Sequence, residues 1–372
     1  MTREQVIQVI KDSHLLGRGG AGFSCGLKWE LARKEEGDEK YLIGNAAEGE
    51  PGTFKDHYLL SHDPFLLLEG MIIAAYAVGA VKAILFLRGE YHSLVKGLEQ
   101  AIQQVKEAGF LDHTDIRIVQ GSGGYICGEE TALLESLEGR RGEPRYKPPF
   151  PPETGLFGKP TVINNVETLA NIPQIIVKGP EWFCSLGTEK SKGTKVFSLS
   201  GDVEHPGVYE VLMGTPLREV VENLAGARDI QAVQVGGASG RILPASLLDT
   251  PLAYEYVLGS GAIMVYNQER DLLDLLLQNI RFINGESCGK CTPCREGTEV
   301  LKEIFGRWNS GDGREEDMPA LEVLSRTMRL ASFCGLGQTA PTPIMDSLTY
   351  FKKAFDQRLE QSRYLRTLTM VK

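Results

Sequence analysis

Apolar residues run from Phe65 to Leu87 with charged interruptions only at Glu69 and Lys82. The longest uncharged piece, MIIAAYAVGAV, is too short to cross a bilayer. The pattern therefore predicts a buried helix over Pro64–Val78 feeding a buried strand over Val81–Leu87. Asp63 before Pro64 supplies a capping side chain and a proline at the first helical position. Further short β-branched runs predict strands at Tyr41–Gly44 and Ile116–Val119, and a helical period covers His92–Ala108. Strands alternating with helices imply a largely parallel sheet covered on both faces, with ligands gathering at the loops that leave the strands' carboxyl ends.

The texture then changes. EPRYKPPFPPETGLFGKP, within Gly142 to Pro160, is too proline-rich for regular structure, and its aromatics and lysines suit an ordered binding loop. A helix is expected over Asn165–Lys178. KVFSLSG, HPGVYEV, a helix over Pro216–Leu224 and AVQVGGASG predict a small α+β unit, and from Glu269 onward the chain reads as helical. The expected fold class is α/β, divided into domains at 1–185, 193–268 and 269–372.

Composition narrows the field. The chain has 372 residues, 42% hydrophobic and 24% charged, as in ordinary globular proteins. A net charge of −9 gives no electrostatic support to nucleic-acid binding. The N-terminal MTREQVIQVIKDS lacks the apolar core of a signal peptide. Cys25, Cys127 and Cys184 are scattered without a disulfide framework, so a reducing cytoplasm is expected, with no direct membrane contact.

The remaining cysteines carry chemistry. Cys288, Cys291 and Cys294 stand in CGKCTPC, and Cys334 stands in SFCGLG. A thiolate triplet with a distant fourth suits a [4Fe-4S] cluster. Structural zinc is the alternative, but it usually takes two separate C-x2-C pairs.

Glycine-rich segments fall where ligands are expected. Gly17–Gly22, GRGGAG, satisfies G-x-G-x-x-G but follows a helix-like segment, so it is either a phosphate loop or a surface turn. Arg18 and Lys28 add positive charge there. NAAEGEPG follows the strand YLIG, and GSGGYICGEE opens a helix whose free N–H groups could meet an anion. Glu129 and Glu130 at that helix start read equally well as caps. Asn164 and Asn165 could accept from and donate to a flavin edge, or simply cap the next helix. Lys147 and Phe150 could offer a phosphate partner and a stacking ring.

Together, GRGGAGF…GLKW, NAAEGEPGTFKD, GGYICGEETALLESLEG, KPPFPPETGLFGKPTVINNVETL and ESCGKCTPCREG…CGLG resemble the NADH-binding flavoprotein subunit of respiratory complex I. The same family supplies diaphorase subunits of NAD-linked hydrogenases and formate dehydrogenases. The resemblance implies a Rossmann-like domain for FMN and NAD(H) or NADP(H), a ubiquitin-like β-grasp domain and a helical-bundle [4Fe-4S] domain. It implies that Gly17, Arg18, Gly19, Lys28, Asn45, Gly128, Glu129, Asn164, Asn165 and Thr168 surround FMN. Phe23, Glu50, Glu130, Lys147 and Phe150 would face the nicotinamide cofactor, and Cys288, Cys291, Cys294 and Cys334 would hold the cluster. Hydride would pass to FMN and leave as single electrons, or run in reverse, with no acid–base side chain required. Implied partners are a small thioredoxin-like [2Fe-2S] subunit and a larger iron–sulfur or catalytic subunit. Ala47 stands where the family usually has Asp, Leu31 where it often has an aromatic, Gly49 for a common serine, and Ser24-Cys25 for a Pro-Thr pair. Ala47 and Leu31 motivate one alternative, a non-catalytic relay or scaffold with a degenerate nucleotide site.

Overall fold

The computed structural model describes residues 1–37 and 39–370; Asp38 and the last two positions of the segment 269–372 lie outside them. The chain divides into two compact units, each built as follows. The first comprises Met1–Leu199, Gly207–Pro216 and Pro251–Ala262, and the second Ser200–Pro206, Leu217–Thr250 and Ile263–Lys372. The segment 193–268 is thus shared between them.

The first unit is built on four parallel strands, β1 (Tyr41–Ala46), β2 (Lys82–Leu87), β3 (Asp115–Gln120) and β4 (Thr161–Asn165), in the order β3-β2-β1-β4. Before β1 come helices α1 (Arg3–Asp12) and α2 (Cys25–Lys34). α3 (Lys55–His62) and α4 (Pro64–Val78) connect β1 to β2, and α5 (His92–Glu107) connects β2 to β3. α6 (Glu130–Leu137) precedes β4, which runs directly into α7 (Val166–Lys178) and α8 (Pro180–Cys184). Alternation of side chains along each strand separates two buried clusters. Leu42, Ala83, Leu85 and Val162 face a large core shared with α1, α2, α4, α5 and α7. Ile43, Phe86 and Ile163 face a smaller one with Leu133, Leu134 and Leu156. The expected helix Pro64–Val78 forms with those bounds, and the Asp63 carboxylate accepts from Leu66 N–H at 3.0 Å. Gly79, at φ +81°, closes it in the left-handed conformation. This is a core helix; among the described residues no single helix is long and apolar enough to cross a membrane. β5 (Thr194–Gly201) and β6 (Gly207–Leu212) add an antiparallel pair.

In the second unit β7 (Ile230–Val235) pairs antiparallel with β8 (Arg241–Pro244) and β9 (Ala262–Asn267). α9 (Leu272–Glu286), α10 (Thr292–Asn309), α11 (Asp317–Ala331), α12 (Gly335–Thr339), α13 (Thr342–Tyr350) and α14 (Lys352–Met370) follow, as the helical pattern requires. Their shared core centres on Leu276, Ile280, Leu301, Phe305 and Trp308. One expected helix is altered: Pro216–Leu224 is helical only from Leu217 onward, with Glu219–Leu224 wound as a wide turn. Pro216 instead forms an isolated bridge with Pro251.

The proline-rich segment is tied down ionically. Arg145 reaches Glu135 at 2.5 Å and Glu138 at 2.8 Å, and also donates to Gly155 O at 3.1 Å. Arg140 and then Arg145 hold the Glu135 carboxyl down to about 2 from its ordinary 4.5. Because the folded value is depressed, its stabilisation is fully present above pH ~4.5 and is lost as pH falls through ~2. Solvent screening leaves it on the order of 1 kcal/mol. Glu135→Gln should lower stability by about that amount at pH 7 and by much less near pH 2. Denaturant titration at the two pH values checks this, and an equal loss at both would refute the assignment.

Candidate functional site

The strand order reverses between β1 and β4: the chain walks β1, β2, β3 outward, then returns beside β1. A crevice at such a switch point, outside the strands' carboxyl ends, is where open α/β sheets bind ligands. Register places Gly44 opposite Asn164 and Asn45 opposite Asn165. Asn45, Asn164 and Asn165 thus line the predicted crevice.

Each asparagine is held by groups whose hydrogen-bonding sense is fixed. Asn45 Oδ1 accepts from Ala47 N–H at 3.0 Å, and its Nδ2 donates to Gly128 O at 3.0 Å. Asn164 Oδ1 accepts from the buried Trp29 Nε1 at 2.8 Å. Asn165 caps α7, accepting from Glu167 N–H at 3.0 Å and from Lys55 Nζ at 3.3 Å, while its Nδ2 donates to Asp56 Oδ2 at 2.6 Å. The capping role expected for Asn165 is therefore real, and its Oδ1 already accepts two hydrogen bonds, whereas Asn45 and Asn164 Oδ1 each accept one.

The glycine loop Gly17–Gly22 crosses this end of the sheet. A Cβ on Gly19 would lie 3.1 Å from Asn165 Cβ, so the backbone approaches more closely than most side chains allow. Arg18 N–H donates to Thr168 Oγ1 at 2.8 Å, which fixes the loop on the first turn of α7. Here the structure corrects the reading of Arg18 as loose positive charge for a phosphate. Its side chain is fully buried and its guanidinium donates to Thr194 O at 3.1 Å, Leu16 O at 3.1 Å and Lys192 O at 2.5 Å. Arg18 anchors the loop and adds only its field.

Lys28 is differently placed. Its Nζ donates to Ile163 O at 3.0 Å, in the middle of β4, and meets Glu130 at 3.3 Å. Lys147 Nζ pairs with Glu129 at 2.8 Å and Glu130 at 2.9 Å, so the proline-rich loop and the start of α6 close on one another. Burial works to raise the Glu130 carboxyl, but Lys28 and Lys147 outweigh it and hold it below the usual range. Glu129 uses one oxygen to cap α6, accepting from Thr131 N–H at 2.9 Å and Ala132 N–H at 3.0 Å. Glu50 is buried after β1 and accepts from Tyr125 OH at 3.1 Å and Ser260 Oγ at 2.7 Å. Phe23 and Phe150 are each 48% exposed, so both rings are open to stacking, and Lys28 Nζ stands 5.8 Å from the Phe23 ring centre.

Behind the asparagines lies a group of charges that sequence reasoning missed. Lys55, Asp56, Glu167 and Lys195 are all buried. Lys195 Nζ meets Glu167 Oε2 at 2.5 Å, Lys55 Nζ meets the same oxygen at 2.9 Å, and Lys55 reaches Asp56 at 2.6 Å. Burial drives the Lys195 ammonium down to about 7 against the pull of Glu167. Glu48 is buried beside them and accepts from Asp56 N–H, His57 N–H and Tyr91 OH at 3.0, 2.9 and 2.8 Å. Nothing local marked these residues, because Lys, Asp and Glu ordinarily read as solvated.

In the second unit the thiols converge. Cys291 is the N-cap of α10, Cys294 lies in its first turn, and Cys334 is the N-cap of α12. Phe333 N–H donates to Cys291 Sγ at 3.4 Å, Ser287 Oγ lies 3.4 Å from Cys294 Sγ, and Lys290 Nζ stands 5.1 Å over the Phe333 ring. The CGKC loop and the SFCG loop are thereby joined. Burial pushes the Cys294 thiol up to about 11, with Cys291, Cys334 and Cys288 adding to the rise against Ser287. Among the described residues no group of three or more His, Cys, Asp or Glu side chains surrounds a single-ion position, and none of the cysteines is disulfide-bonded. The donor set is therefore the guide: four thiols, two of them at the positive ends of helices, fit an anionic iron–sulfur cluster. Cys25 is fully packed, its thiol pushed up to about 12 by burial, as a structural cysteine should be.

Comparison with known proteins agrees with this geometry. Residues 10–174 match the Nuo51 FMN-binding domain, 196–243 the SLBB domain, and 274–358 the NADH-ubiquinone oxidoreductase-F iron-sulfur binding region. Over 97% of its length the chain is 42% identical to the F 2 subunit of NADH-quinone oxidoreductase from Rhizobium meliloti, of which it covers 90%. It belongs to the NADH-quinone oxidoreductase F family. This member of the oxidoreductase F family is also 46% identical, over 96% of its length, to the HoxS subunit alpha of the NAD-reducing hydrogenase of Cupriavidus necator. A crystal structure of air-oxidised NAD+-reducing [NiFe]-hydrogenase superimposes with a TM-score of 0.93 at 43% identity, covering 96% of this chain. The chain spans 61% of the HoxS protein and 63% of that crystallised chain, both of which are longer. Family membership supplies the cofactor classes, FMN and a [4Fe-4S] cluster.

Proposed function

We propose that this chain is the electron-input subunit of a multi-subunit NAD(P)H-linked oxidoreductase. Three functional modules are assigned along it, at 1–185, 193–268 and 269–372. The observation that carries the reading is the row of N–H donors at the β1/β4 switch point, combined with a four-thiol constellation in the same chain. FMN, when bound, couples a two-electron hydride donor to one-electron carriers.

The protein's own part is binding and orientation. Gly17, Gly19 and Thr168 shape the loop that receives the phosphate end, with Arg18 as its anchor. Lys28, Asn45, Asn164 and Asn165 supply donors, while Gly128 and Glu129 form the far wall. Phe23 and Phe150 are the stacking surfaces for NAD(P)H, and Glu50, Glu130 and Lys147 are its polar contacts. Cys288, Cys291, Cys294 and Cys334 hold the cluster, whose binding must displace the proton that the buried Cys294 thiol otherwise retains. The partners are a small thioredoxin-like [2Fe-2S] subunit and a larger iron–sulfur or catalytic subunit. The chain works in the cytoplasm and reaches a membrane only through those partners.

Stopped-flow absorbance of the anaerobically reconstituted chain mixed with NADH, then NADPH, tests the reading. Rapid flavin bleaching by one nucleotide, followed by slower cluster reduction, is expected. Bound flavin that neither nucleotide bleaches would favour a relay. A narrower test concerns Lys28. Losing one charge-assisted hydrogen bond costs about 1.5–3 kcal/mol, so Lys28→Met should weaken FMN binding roughly 10- to 150-fold. A fluorescence titration giving wild-type affinity would remove Lys28 from the site.

A further inference from the structure

We infer that the buried chain Lys195–Glu167–Lys55–Asp56 is a positioning device that locks Asn165 to meet its cofactor as a hydrogen-bond donor only. The inference rests on the FMN reading above and deepens it.

The orientation of an asparagine amide must usually be assigned from its neighbours. Here they leave no choice. The Lys55 ammonium and the Glu167 N–H can only donate, and they meet Asn165 Oδ1 at 3.3 and 3.0 Å. Asp56 Oδ2 takes one hydrogen of Nδ2 at 2.6 Å, while its other oxygen faces the Lys55 ammonium at 2.6 Å. One amide hydrogen remains, with no partner among the described residues. Asn164 is fixed in the same sense by Trp29 Nε1, a pure donor, at 2.8 Å, and Asn45 Oδ1 by Ala47 N–H at 3.0 Å. Asn165 therefore offers the crevice no side-chain acceptor, whereas Asn45 and Asn164 Oδ1 each accept from one donor only. The remaining Asn165 hydrogen favours a phosphate or carbonyl oxygen and discriminates against a ring N–H.

Lys195 controls this from a distance. It is 0% exposed and pairs with Glu167, whose other oxygen accepts from Val196 N–H at 2.8 Å. Lys195 and Lys55 face Glu167 and Asp56, with Glu48 buried beside Asp56, and Lys55 is shared between Glu167 and Asp56. Without the Lys195 charge, Glu167 draws Lys55 away from Asn165 Oδ1 and the set loses one positive charge. The amide then loses its fixed sense, and negative charge collects behind an anionic ligand.

A double-mutant cycle on the full chain, read by FMN fluorescence titration, tests this. Lys195→Met should weaken FMN binding roughly tenfold, as the loss of one ordinary hydrogen bond would, and should shift the bound flavin's midpoint potential to more negative values. Asn165→Ala should cost a similar factor, and adding Lys195→Met to Asn165→Ala should cost much less than a further tenfold, leaving only the charge effect that the potential reads. Additive losses, or a lower melting temperature with wild-type affinity and potential, would overturn the positioning role. If Lys195→Met does not fold, Lys195→Gln enters the same cycle with the same expectation, because it also removes the charge while keeping a polar group beside Glu167. A wild-type chain that binds no FMN would instead overturn the underlying reading, an outcome distinct from wild-type binding with an insensitive variant.

Discussion

Cys294→Ala should abolish the iron–sulfur chromophore of the reconstituted chain while leaving FMN binding intact. Cys294 is the most buried of the four thiols, and it sits in the first turn of α10 with Ser287 Oγ 3.4 Å from its sulfur. Removing even an outer-shell partner of a metal ligand typically costs 10- to 100-fold in affinity, and removing the ligand itself should cost more. Iron and sulfide content, with the visible absorption of the anaerobic protein, reads the loss. FMN fluorescence quenching reads the intact half, because the asparagines, the glycine loop and Lys28 all belong to the first unit. NADH should still bleach the flavin of this variant, and electrons should still reach a small artificial acceptor that takes them directly from flavin. Retention of a full cluster would remove Cys294 from the ligand set. Zinc bound stoichiometrically by the wild-type chain, with no iron or sulfide, would replace the redox reading altogether.

Parts of this architecture were legible in the sequence because local and global preferences agree there. Asp63-Pro64, the apolar run behind it and Gly79 specify one helix from its first residue to its last. The cysteine spacing marked a metal group before any fold was known. β4 was not legible: TVINN has two apolar residues, follows a proline-rich loop, and becomes a strand by pairing with β1. α3 was missed because KDHYLLSH shows little amphipathic period. The candidate site was legible as motifs but not as roles. Arg18 looked like a phosphate cation and proves to be a buried anchor for carbonyls. Asn165 looked like either a cap or a ligand residue; it caps α7 and keeps one donor besides. Lys195 and Glu167 were invisible because sequence cannot distinguish a charge buried against its partner from one in water. Such pairs are specified only by tertiary placement, and they are costly to break once formed.

Gly70→Ala should destabilise the fold, although Ala is the better helix former. Gly70 lies within α4 where that helix crosses α7, and an added Cβ would fall 2.1 Å from Leu169 O and 2.7 Å from its carbonyl carbon. Both are backbone atoms, so relief requires moving a helix rather than turning a rotamer. Overpacking of this kind costs about 1–3 kcal/mol or more, against a propensity gain of about 1 kcal/mol for replacing glycine. A net loss of about 2 kcal/mol is expected in denaturant titrations of the apo chain. Gly97→Ala in α5 is the control: nothing lies within 4 Å of its added Cβ, so propensity should act alone and stabilise by up to about 1 kcal/mol. The consequence reaches the site, because Leu169 directly follows Thr168, Glu167 and the cap Asn165. Displacing the start of α7 disturbs the amides and the loop fixed by Thr168, so Gly70→Ala should also weaken FMN binding, whereas Gly97→Ala should leave it unchanged. If both variants gained stability and kept wild-type FMN affinity, the close α4–α7 crossing would not be what holds the asparagine row in place.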